Sequence, residues 1–154
     1  MNCEWGSGER LREGSVDIHD RTFAFAARIL LMTRALPNDV AGHTVARQLA
    51  RAGTSIGANV EEAQGGHSRA EFARRMGIAR SEAREALYWI RLIGTTKMIP
   101  ENRISELMRE AEEIAKILTA IVKKTRQNTQ FSRSTPENQS CKKSKKANSL
   151  AISH

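Results

Sequence analysis

The chain carries the sequence GTSIGANVEEA at residues 53–63, followed by SRAEF at residues 68–72. The first segment predicts the last turns of one helix, and the second predicts the start of the next. Gly53 and Gly57 lie inside the first helical pattern, where each glycine costs about 1 kcal/mol relative to alanine. We therefore expect a close packing contact along this helix that offsets the cost of its glycines.

Composition favours one small, all-helical domain. The chain has 154 residues, of which 40% are hydrophobic and only 5% aromatic, a length typical of a single domain. The sequence has only three prolines and no alternating apolar run of strand length, which argues against sheets. It also lacks a run of about 18 apolar residues and a basic-then-apolar leader, so we expect a cytoplasmic protein.

Apolar periodicity and end signals predict four helices. The first begins at the N-cap Asp17 and ends before Pro37, because proline cannot continue a helix. The second begins at the cap Asn38 and ends at Gly65-Gly66, since glycine favours a helix C-terminus. The second helix therefore contains the whole of the glycine-bearing segment.

The third helix begins at a capping box formed by Ser68 and Glu71 and runs to about Lys97. The fourth begins after Pro100 and runs to about Arg126. Short connections make neighbouring helices antiparallel, so the predicted fold is an antiparallel, up-down-up-down four-helix bundle. The predicted core faces of the last two helices are Phe72, Met76, Ala79, Ala83, Leu87, Ile90 and Ile93, then Ile104, Leu107, Ala111, Ile114, Leu118 and Ile121.

The bundle is predicted to occupy residues 17–127, between two segments without helical pattern. Residues 1–16 are predicted to be a flexible leader. Residues 128–154 are rich in Asn, Gln, Ser, Thr and Lys, a composition that buries too little apolar surface to offset the entropy of ordering. We therefore predict a disordered basic tail there.

Three segments resemble the small helical-bundle proteins related to the 23S rRNA intervening-sequence protein, often called S23-like. They read QLARAGTSIGANVEEA at 48–63, SRAEF at 68–72 and IARSEAREALYWI at 78–90, and the resemblance spans roughly residues 18–126. It implies an antiparallel four-helix bundle that assembles into a ring, commonly a homopentamer, and binds nucleic acid. The chain is also similar to a related branch, the accessory proteins of diversity-generating retroelements, which accompany a reverse transcriptase and its RNA. The resemblance implies no catalytic residues.

The second helix carries a stripe of small residues. At 100° per residue its members lie within about 60° of one another, and such a stripe lets another backbone approach closely. The approaching helix belongs either to the same bundle or to a neighbouring subunit, and the lack of charge from Ala52 to Val60 favours the second interpretation slightly. The predicted oligomer interface contains Ala46, Ala50, Gly53 and Gly57, with Trp89 as an anchor that is alternatively part of the core.

The third helix has opposite charges on its two flanks. Its basic flank contains Arg69, Arg80, Arg84 and Arg91, and its acidic flank contains Glu71, Glu82 and Glu85. Complementary flanks suit a head-to-tail ring interface. The alternatives are that each flank pairs with a neighbouring helix of the same bundle or is solvated.

A basic balance predicts RNA or DNA as the partner. The net charge is +8, and half of it lies in residues 128–154, which contain five Lys or Arg and one Glu. The sequence shows no aromatic platform, so we expect binding to the backbone without strong sequence choice. The predicted nucleic-acid-binding residues are Arg69, Arg80, Arg84, Arg91, Lys123, Lys124, Arg126, Lys142, Lys143, Lys145 and Lys146.

Catalytic, metal and cofactor motifs are absent from the sequence. A di-iron bundle needs Glu-x-x-His pairs, and none of Glu61, Glu71, Glu82 and Glu106 has histidine three positions on. We therefore expect no enzyme activity, no metal and no cofactor. The first hypothesis is a homo-oligomeric bundle that binds RNA or DNA, and the alternative is a protein scaffold or accessory subunit for a nucleic-acid enzyme such as a reverse transcriptase.

Overall fold

A computed structural model of the chain describes residues 17–134, with side chains described through residue 127. Its four helices are α1 (Ile18–Thr33), α2 (Val40–Gln64), α3 (Arg69–Thr95) and α4 (Glu101–Ser134). The described part of the chain contains no strand, which confirms the predicted all-helical class. The predicted leader at 1–16 and residues 135–154 lie outside the described residues.

Side-chain caps define the starts of the first three helices. The Asp17 carboxylate accepts a hydrogen bond from the His19 amide at 3.3 Å, and the Ser68 hydroxyl accepts one from the Glu71 amide at 3.1 Å, as predicted. The predicted Asn38 cap is wrong. Asp39, which has extended backbone, caps α2 by accepting from the Gly42 amide at 2.7 Å, because only its side chain reaches that free amide.

Helix ends differ from the predicted ones where no glycine marks them. Gly65 is the C-cap of α2, as predicted. The first helix ends at Thr33 rather than before Pro37, because Leu36 is already in a turn whose amide bonds to the Thr33 carbonyl. The fourth helix continues to Ser134, beyond the predicted boundary at 127, because adding a residue to an existing helix requires a backbone hydrogen bond and no apolar pattern.

The core is formed by apolar side chains from all four helices. The predicted faces of α3 and α4 are largely confirmed, with Phe72 and Leu87 packed partly buried against the core. In the last turn of the seam Val122 is buried in place of the predicted Ile121. A straight helix has 3.6 residues per turn, so a strict seven-residue pattern drifts away from the core along α4.

Glycines bring α1 close to α2. A Cβ added at Gly53 would lie 2.8 Å from Cγ2 of Ile29, and one added at Gly57 would lie 3.6 Å from the Thr22 carbonyl oxygen. This confirms the expected close approach along α2. Because Gly53 is buried by α1 of the same chain, its assignment to a subunit interface is corrected, and packing within the bundle is the right alternative for it.

The helices form a four-cornered arrangement in which α1 packs against α2 and α4, and α3 packs against the same two helices. The outer sides of α1 and α3 therefore face away from each other, at opposite corners of the bundle. None of the described helices is long and apolar enough to cross a membrane. Within the uncharged stretch of α2, Ile56, Asn59 and Val60 lie inside the bundle, whereas Thr54 and Ser55 are half-buried.

Candidate nucleic-acid interface

The acidic flank of α3 is occupied by an arginine of α2. Arg51 donates hydrogen bonds to Glu82 at 3.3 Å and to Glu85, and Trp89 Nε1 donates to Glu85 Oε1 at 3.3 Å. The hydrogen bond from Arg51 lowers the pKa of Glu85. For this flank, pairing within the bundle is therefore the interpretation that the structure supports.

Ion pairs also join α1 to α4 and α2 to α3. Arg21 contacts Glu110 at 3.4 Å and also Glu113, and Arg28 contacts Glu106 at 3.7 Å and also Glu110. These arginines are partly exposed, so each pair contributes little to stability. Their positive charges are nevertheless neutralised inside the chain.

The basic flank of α3 is different. Within residues 17–127, the arginines that pair with a carboxylate are Arg21, Arg28, Arg51 and Arg75. Arg84 and Arg91 are exposed and are not among them. One flank of α3 is thus neutralised by the bundle, whereas the other presents its charge to solvent.

These two arginines line a shallow groove on the outside of α3, with a volume of about 530 Å³, which we call the α3 groove. Tyr88 lies between them on the same helix face, at spacings of four and three residues, and is 58% exposed. The ring centroid of Tyr88 lies 5.0 Å from that of Trp89 in an edge-to-face arrangement. The lining residues are Arg84, Leu87, Tyr88, Arg91, Leu92 and Thr95, a set with no carboxylate.

A second groove, of about 500 Å³, lies between α3 and α4, and we call it the α3–α4 groove. It shares Arg84 and Leu87 with the α3 groove and adds Lys116 and Lys123 of α4. Glu112 is its one acidic lining residue. The two grooves share lining residues and together form a surface across α3 and α4 that carries four cations and one carboxylate among uncharged side chains.

Three of the predicted nucleic-acid-binding residues meet on this surface, namely Arg84, Arg91 and Lys123. Arg69 lies at the α2–α3 turn near the other end of α3, and Arg80 is half-buried. The exposed Lys124 and Arg126 line neither groove, and Lys142, Lys143, Lys145 and Lys146 lie outside the described residues.

Sequence reasoning missed Lys116 and Tyr88. The periodicity of α3 contained the signal for Tyr88, because positions 84, 88 and 91 recur at four and three residues and so share one face. No comparable signal existed for Lys116. Its position opposite Arg84 depends on how α4 packs against α3, which a helical wheel does not give.

The outer side of α1 is apolar. Phe23 is 73% exposed, Leu31 is 64% exposed and Leu30 is 46% exposed. Between Asp20 and Arg34 every exposed position of α1 is Phe, Ala or Leu, whereas the outer face of a surface helix is ordinarily polar. We call this surface, which consists of Phe23, Ala24, Ala27, Leu30 and Leu31, the α1 face. The predicted interface residues Ala46, Ala50, Gly57 and Trp89 are half-buried, and their role stays a prediction.

A histidine links α1 to the glycine-bearing segment of α2. His19 Nε2 is hydrogen-bonded to Glu61, and His19 Nδ1 lies 3.4 Å from Asp20 Oδ1. The hydrogen bond to Glu61 raises the pKa of His19 above its ordinary value of 6.5, against a smaller opposing effect of burial. Protonated His19 therefore joins the two helices through a charge-assisted contact.

This contact makes stability depend on pH. Because the folded-state pKa of His19 is raised, its stabilisation is complete below 6.5 and is lost as the pH rises through the folded-state pKa. The side chain is 35% exposed, so solvent screening limits the effect to under about 1 kcal/mol. Urea unfolding at about pH 6 and about pH 8.5 should show lower stability at the higher pH. His19→Gln should reduce this difference in stability between the two pH values. An undiminished difference would contradict the assignment of the pH dependence to His19.

Among the described residues, no group of three or more His, Cys, Asp and Glu side chains is placed to hold a metal ion. The charged residues that line the two grooves are four cations and Glu112, a balance that favours binding of an anion.

Fold and surface together define a small, all-helical bundle protein with a basic groove. Residues 15–120 match the family described as 23S rRNA-intervening sequence protein, and the chain belongs to this family. Among proteins with curated descriptions, none matches the chain. A similar solved structure is the crystal structure of a protein of unknown function from the S23 ribosomal protein family of Bacteroides thetaiotaomicron. It is 36% identical, with a TM-score of 0.65, over 70% of this chain and 99% of the other.

Proposed function

We propose that this chain is a non-enzymatic, homo-oligomeric bundle protein of the cytoplasm that binds RNA or DNA through the α3 groove and the α3–α4 groove. The observation that carries the proposal is that the bundle neutralises only one flank of α3. Arg51 forms ion pairs with the acidic flank, whereas Arg84 and Arg91 keep unneutralised charge at the surface. Guanidinium groups without a carboxylate partner bind phosphate groups well, through charge-assisted, often bidentate, hydrogen bonds.

Helix directions are part of this proposal. The pair Arg21–Glu113 joins an early residue of α1 to a later residue of α4. The pair Arg28–Glu106 joins a later residue of α1 to an earlier residue of α4. The pairs Arg51–Glu85 and Arg75–Glu62 follow the same reversed order between α2 and α3. This order supports an antiparallel, up-down-up-down topology, in which Lys116 and Lys123 come to lie beside Arg84.

Oligomerisation is supported by the α1 face, which places three large apolar side chains in solvent on a single chain. A contiguous apolar patch of this kind ordinarily marks a protein interface. The proposed partner of the α1 face is another copy of the chain, within a homopentamer of the kind that the resemblance implies. Because α1 and α3 lie at opposite corners, the α1 face does not overlap the basic grooves of its own chain, and copies whose grooves stay open would multiply the phosphate contacts.

Binding over a salt series tests the nucleic-acid proposal. Fluorescence anisotropy with labelled RNA and DNA, between about 50 and 200 mM salt, should show affinity that falls steeply as salt rises. The double variant Arg84→Gln/Arg91→Gln removes two phosphate contacts, so the slope of log affinity against log salt should fall by about 1.4 for a single strand.

The matched control is Arg28→Gln/Arg51→Gln, which removes the same net charge from arginines already held by glutamates. We expect this variant to weaken binding less than Arg84→Gln/Arg91→Gln. Equal losses would mean that overall charge and not this surface is responsible. Absence of binding at low salt, or an affinity independent of salt, would overturn the proposed function.

A second candidate function is that of a protein scaffold or an accessory subunit for a nucleic-acid enzyme such as a reverse transcriptase. The exposed α1 face favours it, because an apolar surface serves a different partner protein as well as another copy. Nucleic-acid binding and the scaffold function differ in the behaviour expected of the purified chain without a partner protein. A purified chain that is monomeric and binds no nucleic acid would favour the scaffold.

A further inference from the structure

Tyr88 is the exposed aromatic side chain of the α3 groove. It is 58% exposed, although a tyrosine ring carries a large apolar surface. The half-buried Leu87 and Leu92 line the groove with it, so the groove combines the tyrosine ring with aliphatic side chains. More than half of the tyrosine side chain is thus open to a ligand, on a surface whose other exposed groups are mostly cationic.

The arginines on either side of Tyr88 suit the phosphates of a nucleic-acid strand. Arg84 and Arg91 are seven residues apart, which is roughly 10 Å along a helix axis, and Tyr88 lies between them on the same face. The lining of the α3 groove has no carboxylate that would compete for these guanidinium groups. A ligand that fills the site well therefore needs a planar ring for Tyr88 and negative charge on both sides of that ring.

Unpaired nucleotides meet both requirements. A base exposed by a single strand, a loop or a bulge can stack on an aromatic ring, whereas bases inside a duplex are stacked on each other and present only their edges. From the position of Tyr88 we propose that the α3 groove binds an unpaired nucleotide, with its base stacked on Tyr88 and the adjoining phosphates held by Arg84 and Arg91. This inference rests on the proposed nucleic-acid binding and adds a preference for single-stranded over duplex ligands.

The assignment changes the expected binding mode. The absence of an aromatic platform in the sequence led to the expectation of contact with the backbone alone. Stacking on a tyrosine adds affinity without selecting one base, since every base has a π face. The expectation of weak sequence choice therefore stays, while a preference for unpaired strands is added to it.

The test measures binding of labelled oligo(U) and oligo(dT) of about 12 nucleotides, and of a duplex of the same length, to the full chain and its variants. Tyr88→Ala should weaken binding of the single strands by about tenfold, because base stacking on an aromatic ring contributes on that scale. It should leave the duplex affinity unchanged. The salt slope for the single strands should also be unchanged, since no charge is lost.

Tyr88→Phe is the matched control, because it keeps the ring and loses only the hydroxyl group, so it should bind single strands like the unaltered chain. Circular dichroism should show the same melting temperature for Tyr88→Phe and the unaltered chain, since the side chain is exposed and its ring contact with Trp89 is kept. Comparison of oligo(U) with oligo(dT) distinguishes RNA from DNA as the source of the nucleotide.

Unchanged single-strand affinity in Tyr88→Ala, together with a loss in Arg84→Gln/Arg91→Gln, would overturn the stacking inference and leave nucleic-acid binding in place. An equal loss for duplex and single strands in Tyr88→Ala would also overturn it. Absence of binding to any of these ligands by the unaltered chain would overturn the proposed function, and the stacking inference with it.

Discussion

Replacing Gly53 by leucine is expected to destabilise the folded chain by about 3 kcal/mol, the upper part of the range for overpacked cores. A Cβ at this position would already lie 2.8 Å from Cγ2 and 3.0 Å from Cγ1 of Ile29, which is closer than packed carbon atoms come. The remaining carbons of leucine would have to displace α1 from α2. Thermal and urea unfolding, followed by circular dichroism, measure the loss.

Two further variants separate steric conflict from the loss of glycine itself. A Cβ at Gly77 of α3 meets no atom within 4 Å, so Gly77→Ala should stabilise the chain by up to about 1 kcal/mol through helix propensity. Combining Gly53→Leu with Ile29→Ala should cost less than the two single changes added together, because truncation of Ile29 makes room for the new side chain. Additive losses, or a Gly53→Leu variant as stable as the unaltered chain, would show that the close approach is not what requires glycine.

The second large effect concerns assembly. Replacing Phe23 and Leu31 by glutamate is expected to convert the proposed oligomer to single chains, because burying two carboxylates in an apolar interface is strongly unfavourable. Both side chains are mainly exposed within one chain, so the helical content and the fold of the monomer should be retained. Light scattering at micromolar concentration measures the mass, and circular dichroism measures the helical content.

Val40→Glu provides the control for this experiment. Val40 is 84% exposed, like the residues of the α1 face, but it lies at the start of α2, where an acidic side chain suits the helix dipole. This variant should keep the oligomeric mass. Two results would contradict assembly through α1, namely a monomeric unaltered chain and an unchanged mass after substitution of Phe23 and Leu31.

Loss of assembly in Phe23→Glu/Leu31→Glu should affect the binding of long and short nucleic acids differently. Since the α1 face and the α3 groove lie at opposite corners of the bundle, Phe23→Glu/Leu31→Glu should reduce binding to long ligands through lost avidity. Short strands that occupy a single groove should bind a single chain with nearly the same affinity. The two proposals therefore fail independently.

Local chemistry explains which predictions from the sequence hold. The caps Asp17 and Ser68 and the C-cap Gly65 are confirmed because each acts on amides or backbone conformations within a few residues of itself. The Asn38 cap is wrong because Asp39, its neighbour, offers the same chemistry, and the backbone selects between them. The end of α4 was placed too early because apolar periodicity reports burial rather than helix formation.

Contacts between helices explain what the sequence left open. A helical wheel placed Gly53 and Gly57 on one stripe, yet only the packed bundle shows that α1 of the same chain covers them. The same wheel placed opposite charges on the two flanks of α3 and left two alternatives. Arg51 resolves them for the acidic flank, because its guanidinium reaches Glu82 and Glu85 across the helix pair.

By itself the sequence determined the all-helical class, the four helices, most of the buried faces and the family of this protein, because periodicity, caps and motifs are local properties of a chain. Only the tertiary structure decided which charges are neutralised and which surfaces remain open. Charge neutralisation requires side chains from two helices to come within a few ångströms, and the packing of the helices sets those distances. Gly53 therefore allows α1 to pack closely against α2, while the open surfaces lie on α1 and on the basic side of α3.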